Sequence, residues 1–504
     1  MFSGNQRCLT AVLVLNLAVT VQSYSYQAVK DICAALETAF PTLTLFPGES
    51  LYNYINEDYF SAEEWLGPAC IFTPTSSEHM AHAVAQLKDS DAPFAVRGGG
   101  WMPVPGAANI DSTGILLATT NLTGLQLSSD SSTVSVASGH DWAEVVDYLS
   151  PHDLVVVGSR IGVVGVPGFL LGGGMSFLSN QYGWASANVV GYEAVLACGS
   201  IVHATADNEY SDLFWALRGG GNNFAIVTKF ELKTFNIPSV AVGQVAYGPG
   251  QRDSFIKNLY DFSHAGVLDE RAFVLPTMSF VPAASPNITY SAILFYNDNN
   301  TSPSALESFL PPVASPRSST FSVRTMANWT AEADEGFDKV HGQNFRFHGF
   351  SMLADLDAMY AVHDIFFRQT EESGRPIEGF ISTLAMNAVS KSYITNNRGA
   401  DLAGDPMGID ADKAPYFLCE ETFSWSRKND TGRIEQLMAN INDELRATLG
   451  ETIVPFLYLN NAGSGQDVFQ GYHPANAARL RSIRDKYDES GLLKNQLIGG
   501  FKLD

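Results

Sequence analysis

Positive charge is scarce. Lys and Arg total 30 against 53 Asp and Glu, a formal net charge of −23. That balance repels phosphate backbones and anionic lipid, so it sets aside nucleic-acid and membrane partners and favours a small molecule. Charged residues of both signs make up only 16% of the chain against 45% apolar, too apolar a mixture for global disorder. Long apolar runs are also missing: the stretch from Leu9 to Val21 is too short to span a bilayer, and no later run reaches the required ~18 residues. Neither G-x-G-x-x-G nor the P-loop pattern occurs at the glycine runs, which disfavours NAD and ATP. No metal site is legible, because His79 and His82 share a helix face without a third ligand and His140 stands apart.

What is present begins at the N-terminus. Arg7 precedes the apolar stretch, and Val21-Gln22-Ser23 follows as a cleavage context, so residues 1–23 read as a signal peptide and the chain as secreted. Six N-glycosylation sequons, at Asn121, Asn287, Asn299, Asn300, Asn328 and Asn429, fit that route. Cys8 would leave with the signal. Of the four cysteines remaining, Cys33 and Cys70 are the natural pair, both lying ahead of the first glycine loop, although other pairings stay open.

The 504 residues suit two lobes. A helical segment over 24–63, with an amphipathic helix from Tyr26 to Phe40, precedes a lobe of short strands over 64–236, while 237–455 has a different texture, without glycine runs and with strands such as Thr289 to Phe295 beside helices such as Met359 to Thr370. Residues 456–504 close the chain. Thr75-Ser76-Ser77-Glu78 reads as a capping box opening a helix, and Asp141 as the cap of another. The runs Pro93–Val96, Thr133–Ala137 and Leu154–Val157 read as strands.

Three triple-glycine runs, at Gly98, Gly172 and Gly219, fall within the first lobe, where chance would give fewer than about one. Glycines leaving strands let backbone N–H groups crowd around an anion, and a dinucleotide pyrophosphate fits such a nest.

The order and spacing become specific when read together: Ala95 through Gly100, then Pro105-Gly106, the loop Gly158 to Gly174, Gln181 through Trp184 with Asn188-Val189, and Leu213 through Phe224. From about Gly67 to Phe235 this resembles the PCMH-type FAD-binding domain of the vanillyl-alcohol oxidase and berberine-bridge-enzyme superfamily of oxygen-dependent FAD-linked oxidoreductases. The resemblance implies an α+β, two-lobe fold: an FAD-binding domain, and a substrate domain built on a large antiparallel sheet flanked by helices, with 456–504 returning to the FAD lobe. It implies cofactor contacts at Arg97, Gly98, Gly99, Gly100, Trp101, Gly139, Val164, Gly165, Gly168, Gly172, Asn188, Asn222 and Ile226. Val163 to Gly168 would line the flavin, with Val164 where some relatives gate oxygen.

The chain departs from the pattern at the attachment points. Many relatives bind FAD covalently through a histidine directly after the triple glycine, and some through a cysteine in the second loop; here those positions are Trp101 and Ile161, so FAD is expected to be held non-covalently. Catalytic candidates are Tyr458 and Asn460, in a Tyr-Leu-Asn-Asn strand that borders the flavin in relatives, and Asp405, which with Asp410 comes from a segment able to supply a base. The expected activity is oxidation of a small organic molecule of the specialised-metabolite kind, with oxygen as acceptor. A carbohydrate oxidase, or a non-redox binding or cyclisation protein on the same fold, are the alternatives. Phe345, Phe347 and Phe350 favour an apolar pocket over a sugar cleft.

Overall fold

Four consecutive apolar residues without alternation, Ile115–Ala118, are buried on both faces, as expected of a central parallel strand. In the computed structural model, which describes residues 26–265, 269–336, 341–396 and 404–503, this strand lies inside the first sheet. The order is β1 (Thr44–Leu45), β2 (Cys70–Phe72), β4 (Ile115–Ala118) and β3 (Phe94–Arg97), with β2, β4 and β3 parallel. The signal peptide expected over 1–23 lies outside the described residues.

Two helices cover this sheet. The helix over 26–39 contributes Val29, Ile32 and Leu36, and a second, Ser77–Lys88, contributes Met80, Ala83, Val84 and Leu87. The second begins one residue later than the capping box implies. Ser76 is the cap and accepts the His79 N–H at 3.3 Å, because the Thr75 hydroxyl is paired with the His79 ring at 3.1 Å. A Cys33–Cys70 disulfide ties the first helix to β2.

The second sheet is antiparallel, in the order β5 (Leu125–Leu127), β6 (Thr133–Ala137), β10 (Ile226–Asn236), β8 (Val189–Val195) and β9 (Ile201–Ala204), with β7 (Leu154–Val156) on the far end of β10. Asp141 caps the helix Trp142–Leu149 in a full capping box with Glu144. The glycine runs correct the strand-end expectation. Gly98–Gly100 does leave a strand, but Gly172 and Gly219 follow the helices Val166–Leu171 and Ser211–Ala216.

From β10 the chain passes almost directly into the second lobe. Its nine-stranded antiparallel sheet, counted among the described residues, runs β14 (Ser318–Ser319), β11 (Val240–Tyr247), β13 (Thr289–Tyr296), β12 (Ala272–Phe280), β17 (Ile381–Val389), β18 (Tyr416–Trp425), β16 (Asn344–Leu353), β19 (Ile453–Val454), with β15 (Ser322–Arg324) on β11. Helices Arg252–Ala265, Leu356–Gly374 and Thr431–Leu449 pack one face around Phe366, Phe417, Phe423 and Trp425. The other face looks toward the glycine loops. The closing segment returns to the first lobe: Phe94 donates to Gln496 O at 2.9 Å and accepts from Ile498 at 3.0 Å, so 496–498 runs beside β3.

Candidate functional site

Between the glycine loops and the open face of the large sheet lies a cavity of about 690 Å³, within the range of small-molecule and cofactor sites. Its roof is Gly98–Met102 after β3 and residues of the stretch between Ser159 and Gly172, joined by Asn222 and Ile226. Its floor comes from alternating residues of the sheet: Phe345 and Phe347 on β16, Ile381 and Thr383 on β17, and Glu420, Thr422 and Ser424 on β18. The same two-residue period sends Phe350 to the opposite face, into the helix-covered core, so it does not join Phe345 and Phe347 in the pocket.

The roof depends on a close approach of two backbones. A Cβ on Gly99 would lie 2.5 Å from the Gly165 Cα and 2.6 Å from its nitrogen, and a Cβ on Gly165 would meet Gly99 equally closely. A Cβ on Gly98 would likewise lie 2.5 Å from the Pro167 ring. Gly168 differs, because a Cβ there would meet nothing within 4 Å.

Of the residues expected at the site, Gly98, Gly99, Gly100, Trp101, Val164, Gly165, Gly168, Gly172, Asn222, Ile226, Tyr458 and Asn460 all line this cavity. Four do not. Arg97 points away, donating to Ile55 O at 2.7 Å, pairing with Asp58 and lying over the Tyr59 ring. Gly139 packs under the backbone oxygens of Thr119 and Leu122, and the Asn188 amide is spent on the carbonyls of Tyr182 and Trp184. Asp405 accepts the Met407 and Gly408 N–H groups at 2.7 and 3.1 Å, forming a turn that drives buried Met407 against Gly173 and Gly219. Those two glycines therefore make room for a side chain, and not for an anion. Asp410 caps the short turn Ala411–Lys413.

Tyr458 sits ahead of the turn Leu459–Asn461, not on a strand. Its phenolic oxygen accepts from the Met175 N–H at 2.9 Å and from the Asn460 amide at 3.0 Å, and burial pushes its pKa up to about 12. Asn460 also donates to Phe169 O at 3.0 Å and fills the space beside Gly172, where a Cβ would collide with its oxygen. The pair fastens the closing segment to the second glycine loop.

The family model described as "FAD binding domain" matches residues 68–205. The chain is 31% identical over 517 residues, covering 98% of both chains, to the FAD-dependent monooxygenase prx3 of Penicillium roqueforti. The protein belongs to the FAD-linked oxidoreductases. It is also 30% identical to the bifunctional solanapyrone synthase of Alternaria solani, over 94% of this chain and 88% of that one. In structure it is similar to 6-hydroxy-D-nicotine oxidase from Arthrobacter nicotinovorans, with a TM-score of 0.74 at 19% identity, covering 92% and 97% of the two chains.

FAD is thus the cofactor, and the cavity fits it. The Gly98–Gly99 and Gly165 backbones meet without side chains between them, Gly168 faces open space, and the cavity runs from the first lobe to the second-lobe sheet. Neither attachment position offers a nucleophile: Trp101 stacks on Phe60 with ring centroids 4.6 Å apart, and Ile161 is aliphatic. Phe60 in turn stacks on Phe345 at 4.1 Å, so an aromatic wall joins the roof to the floor.

Among the lining residues that sequence reasoning missed are the two that carry charge. Glu420 accepts from the Asn461 amide at 2.6 Å and from the Thr422 hydroxyl at 3.1 Å. Burial pushes its carboxyl above the usual range, opposed by the Arg160 guanidinium and by Thr422. The legible signal is Glu420-Glu421-Thr422 inside an otherwise largely apolar strand, since a carboxylate in mid-sheet needs a reason. Arg160 is the second.

Proposed function

We propose that the chain oxidises a small, largely apolar organic molecule of the specialised-metabolite kind, with oxygen as the final acceptor and Glu420 as the base. Bound FAD supplies a two-electron acceptor for the substrate's hydride and can pass those electrons to oxygen. Everything else falls to the protein. Glu420 is the one carboxylate among the described lining residues, and it carries the reading. Its two hydrogen bonds hold the carboxyl in place at the floor, and its raised pKa suits it to take a proton from a substrate hydroxyl or amine. Tyr458 and Asn460 act as positioning residues, because their polar atoms are already committed to the second glycine loop. The wall of Trp101, Phe60, Phe345 and Phe347 excludes water and favours a flat apolar substrate over a sugar.

The secretory route remains part of the proposal. The Cys33–Cys70 bridge supports an oxidising compartment, and exposed Asn287, Asn299, Asn300, Asn328 and Asn429 support glycosylation.

The test is anaerobic flavin reduction by a panel of alcohols, amines and sugars, followed by peroxide release on adding air. With a reducing substrate, Glu420→Gln should slow reduction by about 10²–10⁴-fold and remove the rise in rate as pH passes the elevated carboxyl pKa. Bound flavin that no panel member bleaches, or a Glu420→Gln rate equal to wild type, sinks this assignment.

A further inference from the structure

Arg160 stands in the loop between β7 and the helix Val166–Leu171, deep in the molecule, with part of its surface open to the cavity. It is the one cation among the described lining residues. Its guanidinium makes a single hydrogen bond within the described residues, from Nη1 to the Asn387 Oδ1 at 2.7 Å. Asn387 is itself fixed, fully buried on β17, with its amide nitrogen donating to Leu418 O at 3.3 Å. The Phe273 ring lies 5.8 Å away on one side of the guanidinium. Arg160 is thereby aimed, but it is not neutralised. No carboxylate lies within ion-pair distance of it among the described residues, and Glu420, which it influences electrostatically, is bonded elsewhere to Asn461 and Thr422.

A guanidinium has five N–H donors and stays charged when buried. Desolvating it costs several kcal/mol, and the one bond to Asn387, the Phe273 ring and the field of Glu420 leave most of its donors unpaired. The unspent nitrogens are not sealed inside protein, so their partner must arrive through the cavity. The pyrophosphate of FAD is a poor candidate. The glycine cradle that suits it lies at the Gly98–Gly99 end, whereas the neighbours of Arg160 are Phe273, Asn387 and Glu420 on the second-lobe sheet.

We propose that Arg160 is the substrate-anchoring residue, and that the substrate carries a planar delocalised oxyanion, a carboxylate or the enolate of an acidic 1,3-dicarbonyl, held by Arg160 while its oxidisable group faces Glu420. This rests on the oxidoreductase reading above and narrows its substrate class. A planar oxyanion matches the guanidinium fork in a way that a neutral alcohol or a sugar hydroxyl does not. The aromatic wall then takes the apolar body of the same molecule.

The test uses the purified holoprotein and calorimetric titration with three probes: benzoate, the enolate of dimedone, and neutral benzamide, with the flavin spectrum recorded on each sample. Wild type should bind at least one of the two anions more tightly than benzamide, benzoate pointing to a carboxylate and dimedone to an enolate. Arg160→Met should weaken that anion by about 10–100-fold while leaving benzamide within about twofold, which also shows that the pocket is intact. Arg160→Lys should keep a reduced preference for the anion. Equal binding of all three probes by wild type overturns the proposal, as does an Arg160→Met variant that changes flavin content or spectrum but not the anion preference. The two readings fail separately. A flavin-loaded protein without Arg160-dependent anion binding refutes the anchor alone, whereas Arg160-dependent anion binding in a protein that no substrate reduces refutes the oxidase alone.

Discussion

Adding one methyl group at Gly99 and at Gly168 should have opposite effects on stability and the same effect on FAD. In Gly99→Ala the new Cβ would stand 2.5 Å from a backbone carbon of Gly165, about 1–1.5 Å inside the normal carbon contact distance. The obstacle is main chain, so no rotamer relieves it and the two loops must part. Overpacking of this kind costs about 1–3 kcal/mol. An unfolding entropy of about 2 cal/mol/K per residue gives this chain roughly 1 kcal/mol per degree, so the melting temperature of flavin-free protein should fall by about 1–3 °C. Gly168 lies in the helix Val166–Leu171 with nothing within 4 Å of its Cβ position, so alanine there should stabilise flavin-free protein by about 0.5–1 kcal/mol through helix propensity. Both variants should bind FAD at least about tenfold more weakly, a loss of about 1.4 kcal/mol: the first because the cradle opens, the second because the methyl enters the cavity that would hold FAD. Thermal unfolding of flavin-free protein and fluorescence titration with FAD measure the two quantities separately. If Gly168→Ala destabilises flavin-free protein, or if either variant keeps wild-type FAD affinity, the cradle has been placed wrongly.

Three further outcomes follow from the same geometry. Acid precipitation should leave a colourless pellet with all FAD in the supernatant, because neither Trp101 nor Ile161 can form the covalent link; a yellow pellet contradicts this. Glu421, facing the helices with its pKa pushed up to about 8 by burial, binds its proton more tightly folded than unfolded, so its contribution is intact at or below the ordinary carboxyl range and is lost by up to about 1.4 kcal/mol per pH unit as pH rises toward 8. Glu421→Gln keeps an acceptor for Asn442, and its melting temperature should match wild type at pH 5 and exceed it at pH 8; the same difference at both pH values counts against the buried acid. Cys33→Ser should cost up to about 4 kcal/mol, as the bridge closes a loop between residues 37 apart, and denaturant unfolding of the variant beside reduced wild type would show whether the two lose the same stability.

The glycine runs show how much of this was legible and where legibility stopped. Glycine density pointed to an anion-binding lobe, because backbone proximity leaves a compositional trace, and twelve of the sixteen site residues that the family resemblance implied line the cavity. The same trace over-predicted. Gly173 and Gly219 look identical in sequence to Gly98 and Gly99, but their backbones have φ of +104° and +135° and their missing side chains make room for Met407. A run of glycines records only that something comes close. Whether it is phosphate, main chain or a methionine from the second lobe is settled by tertiary contacts.

Charge behaved in the reverse way. Arg160 and Glu420 left almost no local signal: one is a single cation in a glycine loop, the other half of a Glu-Glu pair on a strand. The pair acquires meaning only from register. Pairing of β18 with β16 sets Gly349 opposite Glu420 and Phe347 opposite Thr422, which puts Glu420 on the cavity face and sends Glu421, one residue later, to the helix face beside Asn442. A slip of one residue in that strand would exchange the two. It would bury the base among helices and present the structural acid to the substrate. The identity of the active carboxylate is therefore a property of the sheet, held by the apolar residues Cys419, Phe423 and Trp425 that pin β18 to the core, and substitutions there should impair activity without touching any residue of the cavity.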